Sequence, residues 1–141
     1  MNLPVKRLTQ TALLPTRATD GSAGYDLYAD EAVTIPPGHA QCLVSTGIAV
    51  AIPAGYCGQI WPRSGIDVKS RITRGAGLID RDYRGELKVL LINRSAVAYE
   101  IRQGDRIAQL VITAIATPDV VEFDELDDTE RNAGGFGSTG H

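Results

Sequence analysis

The chain is expected to fold as an all-β domain of the sandwich, barrel or jelly-roll type. Three observations predict this. Short apolar runs recur along the 141 residues, turn signals separate them, and only one stretch suits a helix. In order, the runs are Val5 to Leu8, Val33 to Ile35, Cys42 to Ile52, Tyr56 to Trp61, Leu87 to Asn93, Ala98 to Ile101, Ile107 to Ile115 and Val120 to Phe123. Between them stand Asp20-Gly21-Ser22, Pro36-Pro37-Gly38, Pro53-Ala54-Gly55 and Gln103-Gly104-Asp105, all turn formers. The one helical turn is expected near Ser64 to Lys69, after Pro62. Ile48 to Ile52 and Ile107 to Ile115 are apolar on both faces, so each is expected to be covered on both sides, with another subunit as one candidate cover.

Length and composition set the bounds. A chain of this size is most simply one domain with a real core, and its apolar and charged fractions are ordinary. No apolar stretch approaches the length of a membrane span, and MNLPVKRLTQ has no signal-peptide core. A cytoplasmic protein is expected, with the nucleus or an organelle as the other homes. Cys42 and Cys57 lie in strand-like surroundings without metal spacing and are expected as free thiols. The net charge of -3 conceals a split. Residues 119 to 130 hold seven acids and no base, whereas residues 63 to 106 hold ten bases against six acids. The middle of the chain is therefore a candidate anion site. It lacks the interleaved aromatics of a nucleic-acid groove, so a small anion such as a phosphate ester fits better than a polymer.

The richest segment is Gly77 to Leu87, GLIDRDYRGEL, which gathers Asp80, Arg81, Asp82, Tyr83, Arg84 and Glu86 between apolar runs. It reads as a β-hairpin with a charged turn, a composition that a plain solvated tip shares. Pro62-Arg63-Ser64-Gly65 offers a guanidinium fork, a hydroxyl and an N–H, a pattern also common in ordinary loops. Asp26 interrupts an apolar-aromatic run, and a partly buried carboxylate needs a partner, here an arginine of the 63 to 84 stretch. Gln109 interrupts another apolar run; it either satisfies the core or faces a ligand. At the end, RNAGGFGSTG is too rich in glycine for a regular element, yet it carries Arg131 and Phe136, which a solvating linker rarely needs. Histidines are few, and no zinc spacing, P-loop or dinucleotide glycine pattern occurs. Carboxylate chemistry beside bound anions remains, with a hard cation such as Mg2+ as the natural bridge to phosphates.

Taken in order, five segments resemble the motifs of the trimeric dUTPase family. They are AGYDLYA (Ala23 to Ala29), PRSGIDVKS (Pro62 to Ser70), GLIDRDYRGEL (Gly77 to Leu87), GDRIAQLVI (Gly104 to Ile112) and RNAGGFGSTG (Arg131 to Gly140). The resemblance implies an all-β distorted jelly roll or β-barrel with one short helix after motif two, and a homotrimer with shared active sites. It implies hydrolysis of dUTP to dUMP and pyrophosphate with Mg2+, which keeps uracil out of DNA and supplies dUMP; no nucleic acid or membrane partner is expected. A core of residues 1 to 118 would carry an acidic strand or linker and a Gly-rich lid, 119 to 141, within the same domain.

The resemblance also implies roles. Asp80 would be the base that activates water. Gly75, Gly77, Ile79, Tyr83 and Phe136 would hold uracil and deoxyribose, with hairpin backbone groups reading the base. Arg63, Ser64, Gly65, Gln109, Arg131, Gly137, Ser138 and Thr139 would hold phosphates. Asp26 would support the metal indirectly, through water, with Mg2+ held mainly by the triphosphate. Two departures stand out: Ile66-Asp67 replaces the common Leu-Ala of motif two, and Asn132 stands where glycine is common in motif five. The rival readings are a dCTP deaminase, which shares the fold but spells its third motif differently, and a non-catalytic nucleotide-binding jelly roll.

Overall fold

A computed structural model describes residues 1–134. It is all-β apart from one short helix. The strands are β1 (Val5–Arg7), β2 (Gly24–Tyr28), β3 (Val33–Ile35), β4 (Ala40–Ser45), β5 (Ile48–Val50), β6 (Tyr56–Trp61), β7 (Ile72–Arg74), β8 (Leu78–Ile79), β9 (Lys88–Asn93), β10 (Tyr99–Ile101) and β11 (Arg106–Ala114). Helix α1 (Ser64–Ser70) lies between β6 and β7 and so occupies the second motif itself. Every pairing is antiparallel, and four sheets result: β1-β5, β3-β10, β2-β11-β6-β8 and β4-β9-β7. None closes on itself among the described residues, so the jelly roll is a stack of sheets and not a closed barrel. Among the described residues no helix is long and apolar enough to cross a membrane.

Alternation sorts the side chains. On β9, Val89, Leu91 and Asn93 point inward while Lys88 is exposed, the period of two expected of a strand. Leu27, Ile35, Val44, Ile48, Ile60, Ile72, Leu87 and Leu110 complete one continuous core. The covered run at Ile48 is confirmed, since all of β5 is buried. The end of β11, Val111 to Thr113, is only half covered, however, and Ile115 beyond it is exposed. Both cysteines are free, Cys57 buried and Cys42 half-buried, and burial pushes the Cys42 thiol up with help from the nearby Glu31 charge.

Two expectations are corrected. Gly77 to Leu87 is not a β-hairpin. β8 pairs with β6, whereas β9 is flanked by β4 and β7, so the segment crosses from one sheet to another. With both edges of β9 occupied, β8 has no edge to join there. Nor is Val120 to Phe123 a strand: residues 115–134 carry no helix or strand, and Val120, Val121 and Phe123 are exposed. Strand propensity without a partner for its backbone groups does not make a strand.

The crossing is braced internally and tied to β4 and the turn after it near its end. The Tyr83 N–H donates to the Asp80 carbonyl (3.2 Å), and Arg84 Nη1 donates to the carbonyls of Arg81 (2.6 Å) and Tyr83 (2.9 Å). Glu86 accepts from the Ser45 hydroxyl and the Gly47 N–H and meets Lys88 Nζ at 3.5 Å. Burial alone would raise the Glu86 carboxyl; Ser45, Gly47 and Lys88 together outweigh it and hold the group below its ordinary value.

Buried Asn93 does comparable work across the turn after β9. Its amide donates to the carbonyls of Ile35 (3.0 Å) and Val97 (2.8 Å), while its oxygen accepts from the Ser95 N–H (2.9 Å) and hydroxyl (2.7 Å). Replacing Asn93 by Leu strands those groups, and denaturant unfolding should show a loss of about 2–4 kcal/mol. For Glu86 the sign follows from a lowered folded pKa. Its stabilisation is present above the unfolded pKa and is lost as pH falls through the folded one. Thermal melts from about pH 7 to pH 3 should show Glu86→Gln less stable than the parent at neutrality, with a flatter decline below about pH 4.

Candidate active site

Antiparallel pairing places Asp26 on β2, Gln109 on β11 and Trp61 on β6 in one row across the four-stranded sheet. Residues directly opposite share a face, so these three side chains project together. A register shift between Arg106 and Ala108 sets their phase: it buries Ile107 and Ala108 in succession and turns Gln109 outward. After Trp61 the chain turns at Pro62 and brings Arg63 back over the row. Asp26 Oδ1 meets Arg63 Nε at 3.1 Å, and Asp26 Oδ2 meets Arg106 Nη1 at 3.4 Å. Gln109 Nε2 donates to the Pro62 carbonyl at 3.0 Å. Gly24 is required beside it, because a Cβ there would run into the Gln109 amide.

Of these residues, Gly24, Asp26, Arg63 and Gln109 line a cavity of about 440 Å3 with Ser22, Ser64, Gly65 and Lys69. The partner expected for Asp26 is found. The Asp26 side chain is only 13% exposed and sits between two guanidiniums, a fixed anchor for the arginine facing the cavity. The sequence reading missed Arg106 and Lys69. Arg106 pairs opposite Tyr28, two residues along β2 from Asp26 and therefore on its face. Lys69 lies four residues after Gly65 on α1, one helical turn away on the same side. Asp67 points elsewhere: it pairs with Arg94 at 3.3 Å and ties α1 to the end of β9.

A second cavity, about 300 Å3, is lined by Leu43, Leu78, Ile79, Asp80, Tyr83, Glu86 and Lys88. Asp80 is exposed, a carboxylate open to water. The Tyr83 ring lies over Gly85, where any side chain would strike it, and its hydroxyl donates to the Glu86 carbonyl at 3.0 Å. Gly75 and Gly77 lead into this region. The Gly75 N–H donates to the Leu90 carbonyl (2.8 Å), and the Gly77 carbonyl accepts from the Ile60 N–H (2.7 Å).

The expected residues thus fall into two groups. Asp26, Arg63, Ser64, Gly65 and Gln109 meet in the first cavity; Ile79, Asp80 and Tyr83 meet in the second; no residue lines both. Arg131 is exposed, in a turn where Asn132 adopts φ 42° and exchanges hydrogen bonds with Thr129. A left-handed backbone there accounts for the common glycine, and asparagine tolerates it. Phe136, Gly137, Ser138 and Thr139 lie outside the described residues. No group of three or more His, Cys, Asp or Glu side chains able to cage a metal occurs among the described residues. The acidic donor at the first cavity is Asp26, already engaged by two arginines, and that suits a cation carried by phosphate oxygens with the carboxylate reaching it through water.

The sequence model of the dUTPase family matches residues 10–140. The deoxyuridine 5'-triphosphate nucleotidohydrolase of Candida albicans is 55% identical over 129 residues, 90% of this chain and 80% of that protein. That of Nautilia profundicola is 51% identical over 142 residues, 99% of each chain. Among solved structures, the dUTPase of Staphylococcus bacteriophage 80alpha with dUPNHPP superposes with a TM-score of 0.93 at 32% identity over 99% of both chains. A mutant dUTPase of phage phi11, described with a structural Mg(II) ion, gives 0.84 at 30% identity over 91% of this chain and 100% of that one. Family model, relatives and superposition agree with the five ordered motifs, the first four of which contribute residues to the two cavities: the chain belongs to the dUTPase family.

Proposed function

We infer that this chain hydrolyses dUTP to dUMP and pyrophosphate. The observation that carries the reading is the pairing, in one fold, of a cavity lined by cations and hydrogen-bond donors with a second cavity that holds an open carboxylate beside an aromatic ring.

The chemistry follows from these groups. The triphosphate lies against Arg63, Ser64, Gly65 and Gln109, with Lys69 as a further cation. Asp26 holds Arg63 in place, so little ordering is left to occur on binding. The Asp80 carboxylate accepts a proton from water, and the oxygen of that water attacks the α-phosphorus. The bond from the α-phosphorus to the oxygen shared with the β-phosphorus breaks, and pyrophosphate departs with that oxygen. Phosphoryl transfer asks mainly for alignment and charge neutralisation; Arg63 and Lys69 supply the charge, and Ser64 and Gln109 supply aligning hydrogen bonds. Mg2+ bound to the triphosphate would neutralise further charge, with Asp26 reaching it through water. Tyr83 packs under the deoxyribose and leaves no room for a 2′-hydroxyl. Backbone groups of Gly75, Gly77 and Ile79 read uracil. Arg131, Phe136, Gly137, Ser138 and Thr139 close over the nucleotide, as part of a segment 119 to 141 that serves the same domain as a lid.

The two cavities share no lining residue, which supports a complete site formed where the phosphate cavity of one chain meets the Asp80 cavity of another. A homotrimer closes that arrangement with three equivalent sites.

A pyrophosphate-release assay across dUTP, dCTP, dTTP and UTP should show strong preference for dUTP. Ammonia released from dCTP would indicate the deaminase, and no turnover of any nucleotide would sink the enzymatic reading. Asp80→Asn should bind a dUTP analogue normally while turnover falls about 10²–10⁴-fold. Near-normal turnover would remove Asp80 from the base role. For the shared site, Asp80→Asn and Gln109→Ala chains co-refolded in equal amounts should recover activity toward about a quarter of the parent value by random assortment. Sites contained within single chains would recover none.

A further inference from the structure

Trp61 belongs to the same row as Asp26 and Gln109 but has no part in the phosphate cavity. It is the only tryptophan of the chain and is 46% exposed, an unusual place for so large an apolar ring. Two contacts define its setting. Its Nε1–H donates to Gln59 Oε1 at 3.1 Å, which fixes the ring plane. Over the ring, 5.6 Å from its centroid, lies the Arg74 guanidinium. Arg74 Nη1 then donates to the Gly75 carbonyl at 3.0 Å.

That carbonyl opens the segment Gly75–Gly77. The segment has three anchors: Leu90 on the Gly75 N–H, Ile60 on the Gly77 carbonyl, and Arg74 on the Gly75 carbonyl. The first two are backbone hydrogen bonds and do not depend on side-chain identity. Only the third depends on a side chain, and a free arginine has many rotamers. The tryptophan face selects the one that reaches Gly75. Packing leaves the segment little freedom otherwise. A Cβ on Gly77 would lie 2.8 Å from the Ile60 carbonyl and 3.2 Å from Arg74 Nη1, and a Cβ on Gly75 would strike Leu90. Exposed Ala76 stands at the centre of this held backbone.

We propose that the Trp61–Arg74 stack is a positioning device for base recognition: it holds the Gly75 carbonyl and thereby sets the backbone that distinguishes uracil from other bases. This rests on the reading of Gly75–Gly77 as the uracil-facing segment. Arg74 and Trp61 act through that backbone and touch neither the phosphates nor the attacked phosphorus.

The test uses the full-length chain with Mg2+ and the variants Trp61→Ala, Trp61→Phe and Arg74→Ala. Steady-state kinetics with dUTP and dCTP, dUMP binding and inhibition by pyrophosphate are measured on each. Trp61→Ala and Arg74→Ala should raise KM for dUTP about fivefold, the size expected from losing one such stack, with kcat nearly unchanged. dUMP should weaken by the same factor, pyrophosphate inhibition should stay put, and preference for dUTP over dCTP should narrow. Trp61→Phe, which keeps a ring under the cation, should restore most of the loss. Equal losses for dUTP and dCTP, a fall in kcat alone, weakened pyrophosphate binding or unchanged kinetics would each overturn the proposal. Should Trp61→Ala fail to fold, Arg74→Ala with Trp61→Phe decides it. A parent enzyme inactive on dUTP would instead refute the functional reading, and dUMP binding by the parent against Arg74→Ala would still test the stack.

Discussion

The first cavity is organised around a carboxylate held between two guanidiniums. Asp26 sits on a central sheet whose interior is Leu27, Ile60, Ala108 and Leu110, and there an unpaired charge would be costly. Arg63 and Arg106 satisfy it from opposite sides. The same contact stops Arg63 from following the strand direction of β6 and folds it back across the row. Gln109 reinforces the turn by donating to the Pro62 carbonyl. A triphosphate bound there would thus meet an arginine already held in place, with little of its side-chain entropy still to lose.

The second constraint is the crossing between sheets. Had Gly77 to Leu87 closed a hairpin, Asp80 and Tyr83 would sit on a protruding tip fixed only by its own two strands. Instead β8 is anchored on β6 and β9 lies between β4 and β7, so the turn is held by two sheets. Glu86 is the fastening at one end, through Ser45 and Gly47. The pairing of β8 with β6 is the fastening at the other, and Tyr83 folded over Gly85 shapes the turn between them. The charged character of the run divides accordingly. Arg84 and Glu86 hold the backbone, and Asp80 remains open to solvent.

This division shows which features were legible in the sequence. Asp26 and Gln109 were, because a polar group inside an apolar run must be paired wherever it lies. The identity of their partners was only half legible: an arginine from the 63 to 84 stretch was foreseeable, the Pro62 carbonyl and Arg106 were not. Those contacts are non-local and depend on a register shift in β11 that apolar periodicity does not reveal. The false hairpin has the same origin. Two apolar strands around a turn look alike whether they pair with each other or leave for different sheets. Val120 to Phe123 was misread because strand composition cannot say whether a partner edge exists. Lys69 was within reach, since the helix expected over Ser64 to Lys69 sets it one turn after Gly65; which face of α1 meets the cavity was not legible.

Strand β6 connects these parts. Through Gln59 and Gly58 it pairs with β8, which leads into Asp80, and the Ile60 N–H holds the Gly77 carbonyl. At its far end, Trp61 gives way to Pro62 and the arginine that faces the phosphate cavity. One short strand therefore supports the Gly75–Gly77 backbone on one side and leads into the arginine of the first cavity on the other. No residue lines both cavities, and β6, paired with β11 on one side and β8 on the other, is the element that fixes their relative placement within the chain. Close packing resists continuous deformation, so each strand has to be correctly placed before substrate arrives. That requirement explains why the strand is buried at Cys57, Gly58 and Ile60, yet ends in a half-exposed aromatic ring pinned by Gln59 and Arg74.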